Sequence, residues 1–338
     1  MTGVRILLWH VHGSWTTGFV QGRHDYVLPV LPDRGPDGLG RATSWTWPAT
    51  VQELSPEALR HEPFDVVVLQ RPHEADLVRA WTGRRPGRDV PAVYLEHNVP
   101  GGRVPFDRHP MADQRRIPIV HVTPFNALLW DNGSAAVTVI DHGVLDPGQR
   151  YVGDLARAAV VVNEPVRRGR AVGTDLVLGL AREHDVDVFG LQAHALHDLP
   201  DAPAGLRTYE GLDQERLHGQ LARRRVYVHP NRWTSLGLSL IEAMMLGMPV
   251  VAVASTETAV AVPPDTGLLT TRPDELSGAV HRLCQDVELA RVLGARARSH
   301  ALQRFGLSRF LRDWDDVLEA AVGQEPGHRT PAAARDRP

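Results

Sequence analysis

The strongest constraint on this chain is a rhythm. Short, nearly continuous apolar runs rich in Val and Ile alternate with longer amphipathic stretches. βα units joined into a parallel sheet produce that alternation, because a strand covered by helices on both faces has no solvent side to keep polar. In the first half the strand candidates are RILLWHV from Arg5, DYVLPVL from Asp25, FDVVVLQ from Phe64, PAVYLEH from Pro91, IPIVHVT from Ile117 and AVTVIDHG from Ala136. A second series starts near Ala158 with AAVVVNEP. It continues with VDVFGL from Val186, LRTYEGL from Leu206, RRVYVHP from Arg224 and MPVVAVAS from Met248. Helices are predicted between them at roughly 175–184, 213–223, 236–246 and 273–303. The order predicts an α/β chain of two Rossmann-like, doubly wound domains, 1–157 and 158–303, joined around 145–160. From Gly323 the periodicity stops, and 323–338 reads as a disordered tail.

Composition narrows the chemistry. With 338 residues there is enough chain for two ordinary cores. A net charge of -3 gives no polyelectrolyte signal, so general nucleic-acid binding is not expected. Cys284 is the only cysteine, which excludes an internal disulfide and a cysteine-based metal cluster and suits a reducing compartment. No apolar run approaches the roughly 18 to 20 residues that span a bilayer, and Ile6, Leu7 and Leu8 are too few for a signal-peptide core. A cytoplasmic location is the expectation. The chain also contains no lysine, so any phosphate site must use Arg, His or backbone donors.

The stretch HPNRWTSLGLSLIEAMMLGMPVVAVAS, from His229 to Ser255, reads as strand, loop, helix, turn, strand. Thr234 or Ser235 is the expected helix cap, Gly237 lets backbone approach a ligand, and Gly247 and Pro249 stop the helix. The amides of Ser235, Leu236, Gly237 and Leu238 are expected at a helix N-terminus above the carboxyl edge of a parallel sheet, where phosphates bind. Glu242 falls among Leu238, Leu240, Ile241 and Met245. Pattern alone leaves it as either a surface glutamate or a ligand-facing acid that needs a partner.

This stretch resembles the donor-site signature of the family-4 retaining glycosyltransferases of the GT-B fold. That signature is a Glu, a Gly-Phe-Gly-Leu-like run and a second Glu eight positions after the first. The resemblance extends to IDHGVLDP from Ile140, YEGLDQERLHGQLARRRVYVHP from Tyr209, ETAVAVPPDTGLLTT from Glu257, and the closing helices from Arg282. It implies two domains facing across a cleft, with residues 304–322 forming a closing helix that returns to the first domain. It implies a UDP- or GDP-sugar donor and a glycan, lipid or small-molecule acceptor. By this resemblance Glu242 holds the nucleotide ribose, while backbone at Leu236, Gly237 and Leu238 holds the diphosphate and sugar. Thr234 stands where the family has its first Glu, a departure at the position facing the donor sugar.

The family also places basic residues after the first strand of the second domain. Here that loop carries Arg167, Arg168 and Arg170. A solvated basic loop is the alternative reading; Arg168 and Arg170 are the expected diphosphate ligands. In the first domain, Gly13, with Ser14 as helix cap, matches the glycine-containing first loop. His97, at the end of PAVYLEH, matches the histidine that faces the reacting sugar and is the candidate catalytic residue; Glu96 and Asn98 flank it. His10, His12, His121 and His142 end other strands. The basic segment from Gly101 to Pro118 is either a solvated loop, an acceptor-site wall or a contact to anionic headgroups at a membrane surface. No metal-binding spacing and no Gly-x-Ser-x-Gly elbow is present, and the resemblance implies no bound metal. A catalytically silent binding protein and a sugar-nucleotide epimerase are the alternatives to a transferase.

Overall fold

The apolar runs become two parallel sheets. The structure, a computed structural model, describes residues 3–42 and 45–323. The first sheet holds β1 (Arg5–Leu8), β2 (Asp25–Pro29), β3 (Val51–Leu54), β4 (Val66–Leu69), β5 (Ala92–Glu96), β6 (Ile119–His121) and β7 (Val137–Val139). Its order is β3-β2-β1-β4-β5-β6-β7, all parallel. The second holds β8 (Leu155–Val161), β9 (Val186–Phe189), β10 (Leu206–Tyr209), β11 (Arg224–His229), β12 (Val250–Val253) and β13 (Gly267–Thr270). Its order is β10-β9-β8-β11-β12-β13, again all parallel. In each sheet the strand order reverses at the first strand, which opens a crevice at the carboxyl edge.

Helices cover both faces. The first half carries α1 (Gly13–Phe19), α2 (Pro56–Leu59), α3 (Glu74–Thr82) and α4 (Pro124–Leu129). The second carries α5 (Pro165–Arg168), α6 (Thr174–Glu183), α7 (Gln214–Leu221), α8 (Leu238–Leu246) and α9 (Thr258–Ala261). The long α10 (Pro273–Gln285), α11 (Val287–Phe305) and α12 (Leu307–Gly323) follow. None of the described helices is long and apolar enough to cross a membrane.

The central strands are buried on both faces, as in the VVVL of β4 and the VVAV of β12. The edges depart from that expectation. All three residues of β7 are exposed at the sheet's edge, where no further strand pairs with it among the described residues. The other edge, β3, buries only Val51 and presents polar Gln52, so its sequence lacks the apolar run that marks the inner strands. The expected single helix over 273–303 is two, broken at Asp286. That residue leaves helical geometry and its carboxylate caps α11 by accepting from Leu289 N at 2.9 Å.

After α11 the chain crosses back. Phe310, Trp314 and Leu318 of α12 are buried in the first domain's core with Ile6, Leu8, Trp15 and Phe19. Trp314 meets Trp15 at 5.6 Å and Phe19 at 5.0 Å between ring centres, edge to face. Gly323 is the last residue of α12, and 324–338, expected to be disordered, lie outside the described residues.

Candidate functional site

The two sheets turn carboxyl edges toward a shared cleft, and the loop from Pro230 to Gly237 crosses it. On its own domain this loop is tied to the loop that follows β8: Arg232 N and Trp233 N both donate to Ala171 O, at 2.9 and 3.0 Å. On the other domain, Trp233 Nε1 donates to Pro100 O at 2.9 Å, and the Ser235 and Thr123 hydroxyls lie 3.3 Å apart. The loop therefore follows tertiary contacts rather than local capping. That is why neither Thr234 nor Ser235 caps the helix as expected. Gly237 is the N-cap of α8, with no side chain capping it.

An uncapped start leaves donors open. The backbone N–H groups of Ser235, Leu236, Gly237 and Leu238 have no acceptor among the described residues. Together with the helix dipole they make an anion-binding edge. Leu236 is buried, and Leu238 packs against the cores of both domains. Gly237 has ordinary backbone angles, so its glycine is required by space: a Cβ there would lie 2.6 Å from Cε1 of His229.

Glu242 lies one helical turn inside α8 and is 4% exposed, which excludes the surface-glutamate alternative. Its Oε2 lies 3.3 Å from Nε2 of buried His218 on α7, which itself sits 2.8 Å from the Gln214 amide. His218 is the one side chain bonded to the carboxylate among the described residues, so Glu242 keeps acceptor capacity for a further donor.

The three arginines after β8 separate. Arg167 is exposed and paired with Glu164, and Arg170 is exposed and paired with Asp175, 2.8 Å away. Asp175 is held in turn by Arg232, 2.6 Å away. Arg168 is half-buried, and its guanidinium has no hydrogen-bond or ion-pair partner among the described residues. Burial, then neighbouring Arg167, pushes its guanidinium below the usual arginine range.

On the first domain, His97 directly follows β5 and is 8% exposed. Gln70 gives its amide hydrogen to Trp9 O at 2.6 Å, so its Oε1 faces Nε2 of His97 at 3.0 Å and accepts from it. This fixes His97 as the Nε2–H tautomer and leaves Nδ1 as an acceptor. The His12 ring packs 3.9 Å from that of His97, and Trp15 meets His97 edge-on at 5.3 Å. Burial, then His12 and His142, holds the His97 pKa well below the usual range. Burial takes His12 and His142 each down to about 4. These rings are neutral at pH 7. Glu96 is engaged elsewhere, accepting from Asn98 N at 2.7 Å and paired with buried His109 at 3.0 Å.

Gly13 opens α1, but the N-cap is His12 and Ser14 lies inside the first turn, so the expected serine cap is not formed. A Cβ at Gly13 would sit 3.6 Å from both His10 Nε2 and Trp45 Nε1. Among the described residues no group of three or more His, Cys, Asp or Glu side chains could hold a metal ion. The residue that sequence reasoning passed over is His229, at the end of β11. It is 1% exposed with neither ring nitrogen bonded, and burial lowers it to about 4.

Two facing, doubly wound parallel domains, with an open helix start and a buried acid on the second, define the GT-B class of fold. Residues 201–300 match the family model described as glycosyl transferases group 1. Solved structures agree on the fold. Sucrose-phosphate synthase of Thermosynechococcus elongatus superposes with a TM-score of 0.70 at 14% identity, over 94% of this chain and 98% of that one. A glycosyltransferase of Rickettsia africae gives 0.66 at 12%, over 96% and 100%. HepE of Anabaena, solved with UDP-glucose, gives 0.65 at 14%, over 94% and 100%. No curated protein matches the chain in sequence.

Proposed function

We propose that the chain transfers a sugar from a nucleoside-diphosphate sugar to an acceptor hydroxyl, with retention of anomeric configuration. One observation carries the reading: the open N-terminus of α8 lies at the cleft, and buried Glu242 stands one turn behind it with acceptor capacity to spare. In this reading the ribose hydroxyls donate to Glu242, and the diphosphate lies on the amides around Gly237. Arg168, half-buried and unpaired among the described residues, supplies the fixed positive charge. As the bond from sugar C1 to the diphosphate stretches, the growing negative charge meets the helix N-terminus, already oriented toward it. Neutral His97 offers its Nδ1 to a sugar hydroxyl. The family match and the UDP-glucose bound by HepE support a nucleotide-sugar donor.

Thr234, where the family resemblance leads one to expect an acid, favours a second reading, a protein that binds such a donor without turning it over. The deciding assay incubates the chain with UDP-, GDP- and ADP-sugars and measures nucleoside diphosphate release with and without a panel of hydroxyl acceptors. Acceptor-dependent release that Glu242→Gln weakens supports the transferase. Tight binding with no release supports the silent reading, and an isomerised donor formed without acceptor supports an epimerase.

A further inference from the structure

Buried polar atoms in folded proteins almost always find partners. His229 does not. Its imidazole is 1% exposed, and Nδ1 and Nε2 both lack a hydrogen-bond partner among the described residues. The ring is nevertheless closely fitted. It fills the space left by the missing side chain of Gly237, where a Cβ would lie 2.6 Å from Cε1 and 3.3 Å from Nε2. Tyr227, two residues back on the strand, stacks 6.3 Å away and spends its hydroxyl on Ser239. The imidazole thus underlies the turn that opens α8, the same turn whose amides have no acceptor.

A leucine would fill that volume without burying two unsatisfied nitrogens. An imidazole held there makes physical sense when something outside the chain completes it. We propose that His229 is a donor-contacting residue, whose ring N–H closes on an oxygen of the diphosphate held at the start of α8. The inference rests on the donor-site reading above and adds a second, side-chain ligand from beneath the amide edge. With Arg168 and the amides it gives a grip that needs no lysine, in a chain that has none.

The test uses the full chain. UDP, GDP and ADP are titrated into the wild type by calorimetry, and the tightest is carried to His229→Leu and His229→Gln. Ligand-free melting points are recorded in parallel. The expected result is that H229L melts at or above the wild-type temperature yet binds at least tenfold more weakly, while H229Q, which keeps an N–H, recovers part of the loss. H229L binding within twofold of wild type overturns the proposal. So does an H229L that unfolds or melts markedly lower, because then the ring serves the ligand-free fold. If none of the three nucleotides binds the wild type at millimolar concentration, the donor-site reading itself falls, a result distinct from the other two.

Discussion

Arg168 and Arg170 stand two residues apart and have different surroundings. Arg170 is exposed and already neutralised by Asp175, whereas Arg168 is half-buried without a partner. A cation kept from water and left unpaired gains most from an arriving anion. Arg168→Ala should therefore weaken nucleoside-diphosphate binding about tenfold, roughly 1.4 kcal/mol. Arg170→Ala should stay within about twofold. Glu242→Gln keeps the shape of the acid but replaces one acceptor oxygen with a donor, and should also cost about tenfold in affinity through lost charge-assisted bonds to hydroxyls. Titration calorimetry on the three variants checks all of this, and equal losses for the two arginines would refute the assignment. The burial of Glu242 was one of two readings that its apolar neighbours in the sequence allowed. The difference between the arginines was not legible there, because it depends on Asp175 and Arg232, and Arg232 lies more than sixty residues along the chain. His229 was hidden among 17 histidines, since an unsatisfied ring is a property of packing and leaves no mark in spacing.

At the level of elements, the inner strands announced themselves because burial on both faces demands unbroken apolar runs. The edge strand β3 did not, since VQEL needs only one apolar face. The start of α8 was misplaced by two residues for a related reason. Thr234 and Ser235 have the chemistry of caps, yet the loop that carries them is drawn across the cleft by Trp233 and Thr123. Contacts between domains overrode a local preference worth about 1 kcal/mol. The glycine that does cap the helix is sensitive to any added atom. Gly237→Ala should displace His229 and the turn above it, lowering nucleotide affinity at least tenfold while shifting the melting point by only a few degrees. Differential scanning fluorimetry with and without nucleotide reads both effects at once, and full retention of the ligand-induced shift would contradict it.

For the molecule as a whole, Arg304 joins the two halves. From α11 it donates to Asp141 of the first domain at 2.8 Å and is also paired with Glu257 of the second. Glu257 is 2% exposed and accepts from Phe125 N at 3.2 Å. Arg304→Ala strands that carboxylate and should destabilise the chain by about 3 kcal/mol, measured by denaturant unfolding. The neutral buried histidines set a pH limit. His142 and His229, folded, titrate near 4, whereas an unfolded histidine titrates near 6.5. Between those values the unfolded chain binds more protons, so stability is full above about pH 6.5 and falls as the pH drops toward 4. Each such residue contributes about 1.4 kcal/mol per pH unit in that window. Melting points taken from pH 7.5 to 4.5 should decline below 6.5, and less steeply for His229→Leu.

The aromatic face of α12 has a consequence for the timing of assembly. Trp314, Phe310 and Leu318 complete a core whose other buried members lie within the first 140 residues. During synthesis those early strands must wait, with an apolar groove uncovered, until the residues from Phe310 onward have been made. The first domain's core is therefore completed only by residues that are translated after the whole of the second domain.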